Sequence, residues 1–294
     1  MINQDSLRGE FKLDHPLASY TSWGVGGNAD QFYWPADLED LQNFLQQLPP
    51  DESLTFLGLG SNVLIHDAGI RGTVILTLNR LNQLKLIDEN TFKAEAGLTC
   101  AKLSKFCVKH SFETGAFFAG IPGTVGGALK MNAGAFGGET WSHVIAVDTI
   151  DHAGKIHHRS AGEFKFSYRH VEGLGKEFFA AGYFRFPKGD GEKAQASLKN
   201  LLHKRNESQP IGLRSCGSVF KNPPGDFAAR LIEAAGLKGT VIGDAEVSIK
   251  HANFIINRGE ATASDIKQLI DLVQQRVEEI YSIKLEPECL LLGF

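Results

Sequence analysis

Apolar positions along the chain fall into two periods. Leu38, Leu41, Leu45 and Leu48 recur every three or four residues and stop at Pro49-Pro50, which predicts a helix within PADLEDLQNFLQQLPP. The same spacing puts Leu103, Phe106 and Cys107 on the inner face of a helix in TCAKLSKFCVKHSF. A further helix is predicted in DFAARLIEAAG, closed by Gly236. A longer one carries Ile266, Leu269, Ile270, Val273, Val277 and Ile280 on one stripe. Between these lie short apolar runs bounded by turn residues: SLTFLGLG, GTVILTL, TFKAEAG, VIAVDTI, KIHHRSA, FFAAGYFRFP and HANFIIN, each read as a strand. GDGEKAQASLKNLLHKRNESQP is polar and then helical, the plan of a link into a last unit. Helices and strands alternate, but some strands follow one another directly, so the expected class is α+β rather than a doubly wound parallel sheet.

At 294 residues the chain has room for two or three compact units. Its formal charge of −4 offers no basic field for nucleic acid. No apolar run approaches membrane-spanning length, and the opening MINQDSLRGEFKLDHP lacks the plan of a secretory signal. Cys100, Cys107, Cys216 and Cys289 are widely spread and form no Cys-x-x-Cys pair, so reduced cytoplasmic thiols are expected. His157-His158 reads as a polar strand end rather than a ligand pair, and no metal is expected.

Chemistry concentrates in the glycines. GLGSNVL (58–64) and GIPGTVGGALKMNAGAFGG (120–138) can turn successive N–H groups inward as a nest for an anion such as a diphosphate, and WGVGG adds a third run. Neither loop is a Gly-x-Gly-x-x-Gly opening a βαβ unit, and no Gly-Lys-Ser/Thr occurs, so dinucleotide-fold and P-loop readings fall. RSCGSVFKNPPG sets Ser218 in a Gly-Ser turn before Lys221 and Asn222, with no Gly-x-Ser-x-Gly elbow and no nearby His to act as a base.

GLGSNVL, GIPGTVGGALKMNAGAFG, FSYR, CGSVFKNP and LEPE stand in the order and rough spacing of the UDP-N-acetylenolpyruvoylglucosamine reductase family, which the chain resembles from about Ser19 to Gly293. That family belongs to the vanillyl-alcohol-oxidase-like flavoproteins. The resemblance implies two α+β subdomains clasping FAD, residues 1–75 (with 285–294 returning to them) and 76–200, and a third α+β domain for substrate, 201–284. It implies noncovalent FAD, NADPH as reductant, and a small-molecule substrate, UDP-N-acetylglucosamine enolpyruvate, reduced to the peptidoglycan precursor UDP-N-acetylmuramate in a bacterial cytoplasm. No nucleic acid or membrane partner is implied, and a monomer is the default.

Carried over residue by residue, Gly58, Gly60, Ser61 and Asn62 would line the FAD diphosphate with Gly120, Gly123, Thr124, Gly126 and Gly127. Asn132, Ala133 and Gly134 would lie near the flavin ring or ribityl chain. Hydride addition to an enolpyruvyl group makes an enolate-like species. Arg169 of FSYRH would grip its carboxylate and Glu288, the second glutamate of LEPE, would stand beside it, with Glu286 facing the other way. Ser218 would give the proton; so basic a carbon needs no assisting His. Lys221 and Asn222 would position substrate.

The chain also departs from the family. Many relatives have Lys-Gln-Pro ten residues before the serine where this chain has Ser208-Gln209-Pro210, and Arg214 is the candidate replacement cation. His251 falls where some relatives use a polar amide. The stretch from Arg169 to Ser218 is too short for the tyrosine-bearing loop of longer members. Two rivals stay open: an oxygen-using oxidase of the same fold, whose relatives lack CGSVFKNP, and a nucleotide-sugar regulator without catalysis.

Overall fold

The expected helices form, and three of them, α1, α2 and α6, start at a residue whose side chain caps the first turn. In a computed structural model describing residues 2–294, α1 (Leu38–Leu45) begins at Asp37, whose carboxylate accepts from Asp40 N–H at 3.0 Å, and buries Leu41, Phe44 and Leu45. α2 (Cys100–Lys109) starts at Thr99 and buries Leu103 and Cys107. α3 (Val125–Met131) leaves the second glycine loop and ends at Asn132, which adopts the left-handed conformation. The polar link is itself a helix, α4 (Gly191–Ser208). α5 (Ala228–Ala234) is followed by Gly236 at φ 72°. α6 (Ala263–Tyr281) opens with a Thr262–Asp265 capping box. Asp67 adds a cap from a distant part of the chain, accepting from the N–H groups of Ala263 and Ser264 at 2.8 and 2.9 Å.

One expectation on α6 is corrected. Ile266, Leu269, Ile270, Val273 and Val277 are buried, but Ile280 is 54% exposed and Tyr281 packs against the core instead. A real helix turns every 3.6 residues, so by its last turn the inner face has drifted past the position that strict spacing assigns.

The chain forms two compact units. Unit 1 comprises Met1–Leu13, Gln31–Leu59 and Gly72–Lys204. Unit 2 comprises Asp14–Asp30, Gly60–Arg71 and Arg205–Phe294. In unit 1 a five-stranded antiparallel sheet runs in the order Ile156–Ser160, Val144–Ile150, Phe178–Arg185, Thr91–Glu95, Leu84–Leu86. Its inner face meets α2 and α3 through a phenylalanine core of Phe92, Phe112, Phe118, Phe184 and Phe186. Leu54–Leu57 pairs in parallel with residues 73–76 nearby. His157 and His158 each meet an aspartate, Asp151 and Asp148, at 2.8 Å.

Unit 2 holds a four-stranded sheet in the order Arg214–Ser215, Ile255–Asn257, Ala245–Val247, Val241–Ile242. The buried stripe of α6 joins Trp23, Val219, Phe220 and Leu231 in its core. The expected strand HANFIIN is shorter than its apolar content suggests, because Phe254 N–H bonds to His251 O at 3.0 Å and turns the first half. Leu290–Leu292 pairs in parallel with Val63–Ile65, so the stretch that ends the sequence returns to the one that follows the first glycine loop.

Candidate active site

Unit 1 carries all of the second glycine loop's candidates and Gly58 of the first, and the reasons for its glycines differ. A Cβ on Gly58 would lie 2.4 Å from Thr124 Oγ1, so the two glycine loops touch here. A Cβ on Gly120 would strike Ala135 and the Phe136 ring at 2.5 and 2.7 Å. Gly123 spends its carbonyl on Cys100 N–H at 2.9 Å. Gly126 packs on the turn that follows strand Thr91–Glu95: its N–H donates to Ala96 O at 2.8 Å, and a Cβ would sit 3.0 Å from that of Ala96. Gly127 is different. It lies in a helix, is exposed, and a Cβ there would meet nothing nearer than Thr124 Oγ1 at 4.0 Å. Glycine destabilises a helix by roughly 1 kcal/mol against alanine. With no neighbour or positive φ to require it, the open space in front of Gly127 suits a closely approaching ligand, and the loop fits a diphosphate there.

Beyond the loop, Asn132 is fully buried at φ 43°. Its Nδ2 donates to Ser167 O at 3.0 Å and to Glu139 Oε2 at 3.1 Å, while Oδ1 accepts from Trp141 N–H at 3.0 Å. The amide therefore anchors the hairpin of Lys165–Ser167 and His170–Glu172, whose turn is Tyr168–Arg169. Arg169 stands at φ 55°, a conformation that an L-residue without a short polar side chain adopts at about 1–3 kcal/mol. Its guanidinium donates to Gly134 O at 3.1 Å and lies 5.0 Å from the Tyr168 ring centre. Ala133 accepts from Thr140 Oγ1 at 2.6 Å. Asn132, Gly134 and Arg169 are thus one cluster, and Glu139 and Tyr168, neither among the expected site residues, belong to it.

Unit 2 carries the rest. A Cβ on Gly60 would collide with Tyr20 O at 1.9 Å, so this glycine and its φ of 65° are demanded by the turn. The WGVGG glycines likewise have packing reasons: Gly27 closes on Asp67 O and Gly24 on the Arg214 side chain. Ser61 is half-buried beside them. Asn62 directs Nδ2 to Glu288 O at 3.1 Å, and its carbonyl accepts from Leu290 N–H at 2.9 Å.

Ser218 follows Gly217, which sits at φ 80°, and precedes a clamped segment. Glu288 N–H donates to Val219 O at 2.7 Å, Lys221 N–H to Glu286 O at 2.9 Å, and Phe220 pairs with Pro287. The serine and glutamate motifs, far apart in sequence, are therefore paired, antiparallel segments of one unit. Lys221 Nζ lies 3.3 Å from Glu286 Oε2 on the exposed side. Asn222 Oδ1 accepts from Ala228 N–H at 3.1 Å at the start of α5. Arg214 reaches Gly259 O at 3.3 Å from the sheet edge, while Ser208 ends α4 exposed. His251 is half-buried, its ring edge-on to Phe254 at 4.7 Å, and burial holds its pKa below the usual value. Burial, reinforced by a hydrogen bond with Cys289, pushes the Cys216 thiol well up; both are free cysteines.

Two family models match the chain: an FAD binding domain over residues 29–160 and the UDP-N-acetylenolpyruvoylglucosamine reductase C-terminal domain over 209–292. The UDP-N-acetylenolpyruvoylglucosamine reductase of Coxiella burnetii is 60% identical over 310 residues, spanning 99% of this chain and 98% of the relative. That of Methylococcus capsulatus is 52% identical over 286 residues, spanning 97% and 94%. The crystal structure of the Thermus caldophilus UDP-N-acetylenolpyruvylglucosamine reductase superposes with a TM-score of 0.82 at 32% identity, covering 98% of this chain and all of that one.

Proposed function

Because the chain belongs to the UDP-N-acetylenolpyruvoylglucosamine reductase family of FAD-dependent oxidoreductases, we propose that it reduces the enolpyruvyl ether of UDP-N-acetylglucosamine enolpyruvate to UDP-N-acetylmuramate, with NADPH as reductant. The product feeds peptidoglycan synthesis, and the enzyme works in the cytoplasm. FAD, when bound, supplies the hydride from N5 to the enol-ether carbon.

The glycine loops, with Gly127 presenting the open position, hold the diphosphate noncovalently. Arg169 grips the substrate carboxylate as charge builds on it. Its strained turn aims the guanidinium, and Asn132 keeps that turn in place. Ser218 gives the proton that completes the reduction. A turn serine that only satisfies its own backbone is the commoner fate of such a residue. The observation that carries the catalytic reading is the bond from Glu288 N–H to Val219 O at 2.7 Å, which puts the Ser218 and Glu288 motifs side by side. Glu288 hydrogen-bonds the same intermediate, and Lys221 with the glycine-turn N–H groups steadies the serine oxygen after transfer. Arg214 and Asn222 position the nucleotide sugar, and His251, neutral through burial, lines the same region of unit 2.

Stopped-flow kinetics test the assignment. Ser218→Ala should bleach its flavin with NADPH at close to the normal rate, yet reoxidise with the enolpyruvyl sugar about 10²–10⁴ times more slowly, the usual contribution of a positioned general acid. Ser218→Cys should recover part of that step. Turnover of Ser218→Ala within a few-fold of wild type would mean that the proton comes from elsewhere.

A further inference from the structure

We infer that Asn253 is the positioning residue for the Ser218 hydroxyl, acting as a one-residue substitute for a neighbouring strand; the inference rests on the reading of Ser218 as proton donor. Asn253 is 4% exposed. Its Oδ1 accepts from Phe220 N–H at 2.9 Å and its Nδ2 donates to Phe220 O at 2.8 Å. Its main-chain carbonyl accepts from Val219 N–H at 2.8 Å. The side chain thus reproduces the donor–acceptor exchange by which one antiparallel residue binds another.

Val219 and Phe220 are 0% and 2% exposed, and their four backbone polar groups are all used: three by Asn253 and one by Glu288 N–H. The chain after Ser218 is therefore fixed. Before it stands Gly217 at φ 80°, with nothing within 4 Å of where a Cβ would be. Upstream of that glycine, Arg214–Ser215 pairs with Ile256–Asn257 and Cys216 is buried, so Ser218 stands between two held segments and the clamp sets its backbone from the downstream side. Asn253 is itself held by the 248–254 turn, closed by Ser248 N–H to Phe254 O at 2.8 Å. A change there displaces the hydroxyl without removing any group that meets the substrate.

Asn253→Asp separates this role from simple core packing. Its carboxylate cannot donate to Phe220 O and instead sets a negative oxygen against that carbonyl, which pushes the clamp open, whereas its acid form restores both bonds. In single turnover at neutral pH, flavin reduction by NADPH should be unchanged and reoxidation by the enolpyruvyl sugar slowed about 10²-fold, the size of effect expected from a displacement of about 1 Å. Acidification should recover the rate. Asn253→Ser, which has no acid to protonate there, should stay slow throughout. Wild type carried through the same pH series removes the titrations of His251, Lys221, Glu286 and Glu288, which face the segment from its own turn and from the paired stretch. In protein without flavin, hydrogen exchange at Val219 and Phe220, relative to wild type at each pH, should be fast in Asn253→Asp at neutral pH and normal in acid. Should that variant not fold, Asn253→Gln must give the same selective slowing. Normal reoxidation in Asn253→Asp beside a slow Ser218→Ala overturns the inference and leaves the donor reading standing. Equal losses in both half-reactions with no acid recovery also overturn it, and a fast Ser218→Ala overturns both.

Discussion

Asn132→Ala should damage unit 1 far more than an ordinary polar-to-alanine change, and the structure says by how much. The two bonds donated by its amide, to Ser167 O and Glu139 Oε2, contribute about 1 kcal/mol each. Removing Oδ1 leaves the buried Trp141 N–H without its acceptor, which costs about 1–3 kcal/mol. Alanine at φ 43° adds about 1 kcal/mol of backbone strain. The total is about 4–6 kcal/mol, a large share of the ~5–15 kcal/mol that holds a domain together. Asn132→Gly loses the same bonds but not the strain, so it should be milder than alanine by about 1 kcal/mol, the reverse of the order inside a helix. Urea denaturation of the flavin-free variants, followed by circular dichroism, measures both differences. Among molecules that still bind flavin, reoxidation by the sugar should slow in Asn132→Gly, because the anchored Ser167 is two residues from Arg169. A loss below about 1 kcal/mol, or alanine no worse than glycine, would refute the account of this amide.

Three further outcomes follow from particular residues. Gly127→Leu should weaken FAD binding while leaving the apoprotein as stable or up to about 1 kcal/mol more so, whereas Gly126→Leu should destabilise the apoprotein through its contact with Ala96; equilibrium flavin titration and urea midpoints separate them. Arg169→Gly should relieve the turn and stabilise unit 1 by about 1 kcal/mol while slowing reoxidation as severely as Arg169→Ala, and Glu288→Gln should slow the same half-reaction; a loss confined to flavin reduction would contradict both roles. His251 has a folded pKa lowered by burial, so the unfolded chain binds more protons as pH falls through the ordinary histidine range, and stability is lost there. His251→Gln should remove part of that acid loss in urea titrations at successive pH values, and an unchanged pH slope would count against it.

The sequence made the long apolar stripes legible because α6 and α2 bury one continuous face each, and periodicity reports that directly. It also carried the two glycine loops and the serine and glutamate motifs. It did not carry the hairpin around Arg169: Lys165–Ser167 is exposed on both faces, so no alternation marks it as strand, and Asn132 holds it from 35 residues away. Three asparagines do the structural work there and in unit 2, and an asparagine in isolation reads as a turn residue. Asn62 reaches Glu288 across 226 residues and Asn253 reaches Phe220 across 33. Partners that distant leave no local pattern. Gly126 and Gly127 are adjacent in sequence and alike in identity, yet one packs on Ala96 and the other faces open space.

The parallel pairing of Val63–Ile65 with Leu290–Leu292 bears on how the protein is born. A ribosome adds about 5–20 residues per second, so the segment around Asn62 emerges roughly 10–45 s before the strand that completes its surroundings. Through that interval Gly60–Arg71 and Asp14–Asp30 have left the exit tunnel without the rest of unit 2, whose other residues are Arg205–Phe294. Nascent chains arrested before residue 286 should therefore expose the apolar Val63–Ile65 edge to chaperones and proteases. Emergence of Leu290–Leu292 should protect it in one step, together with the placement of Glu288.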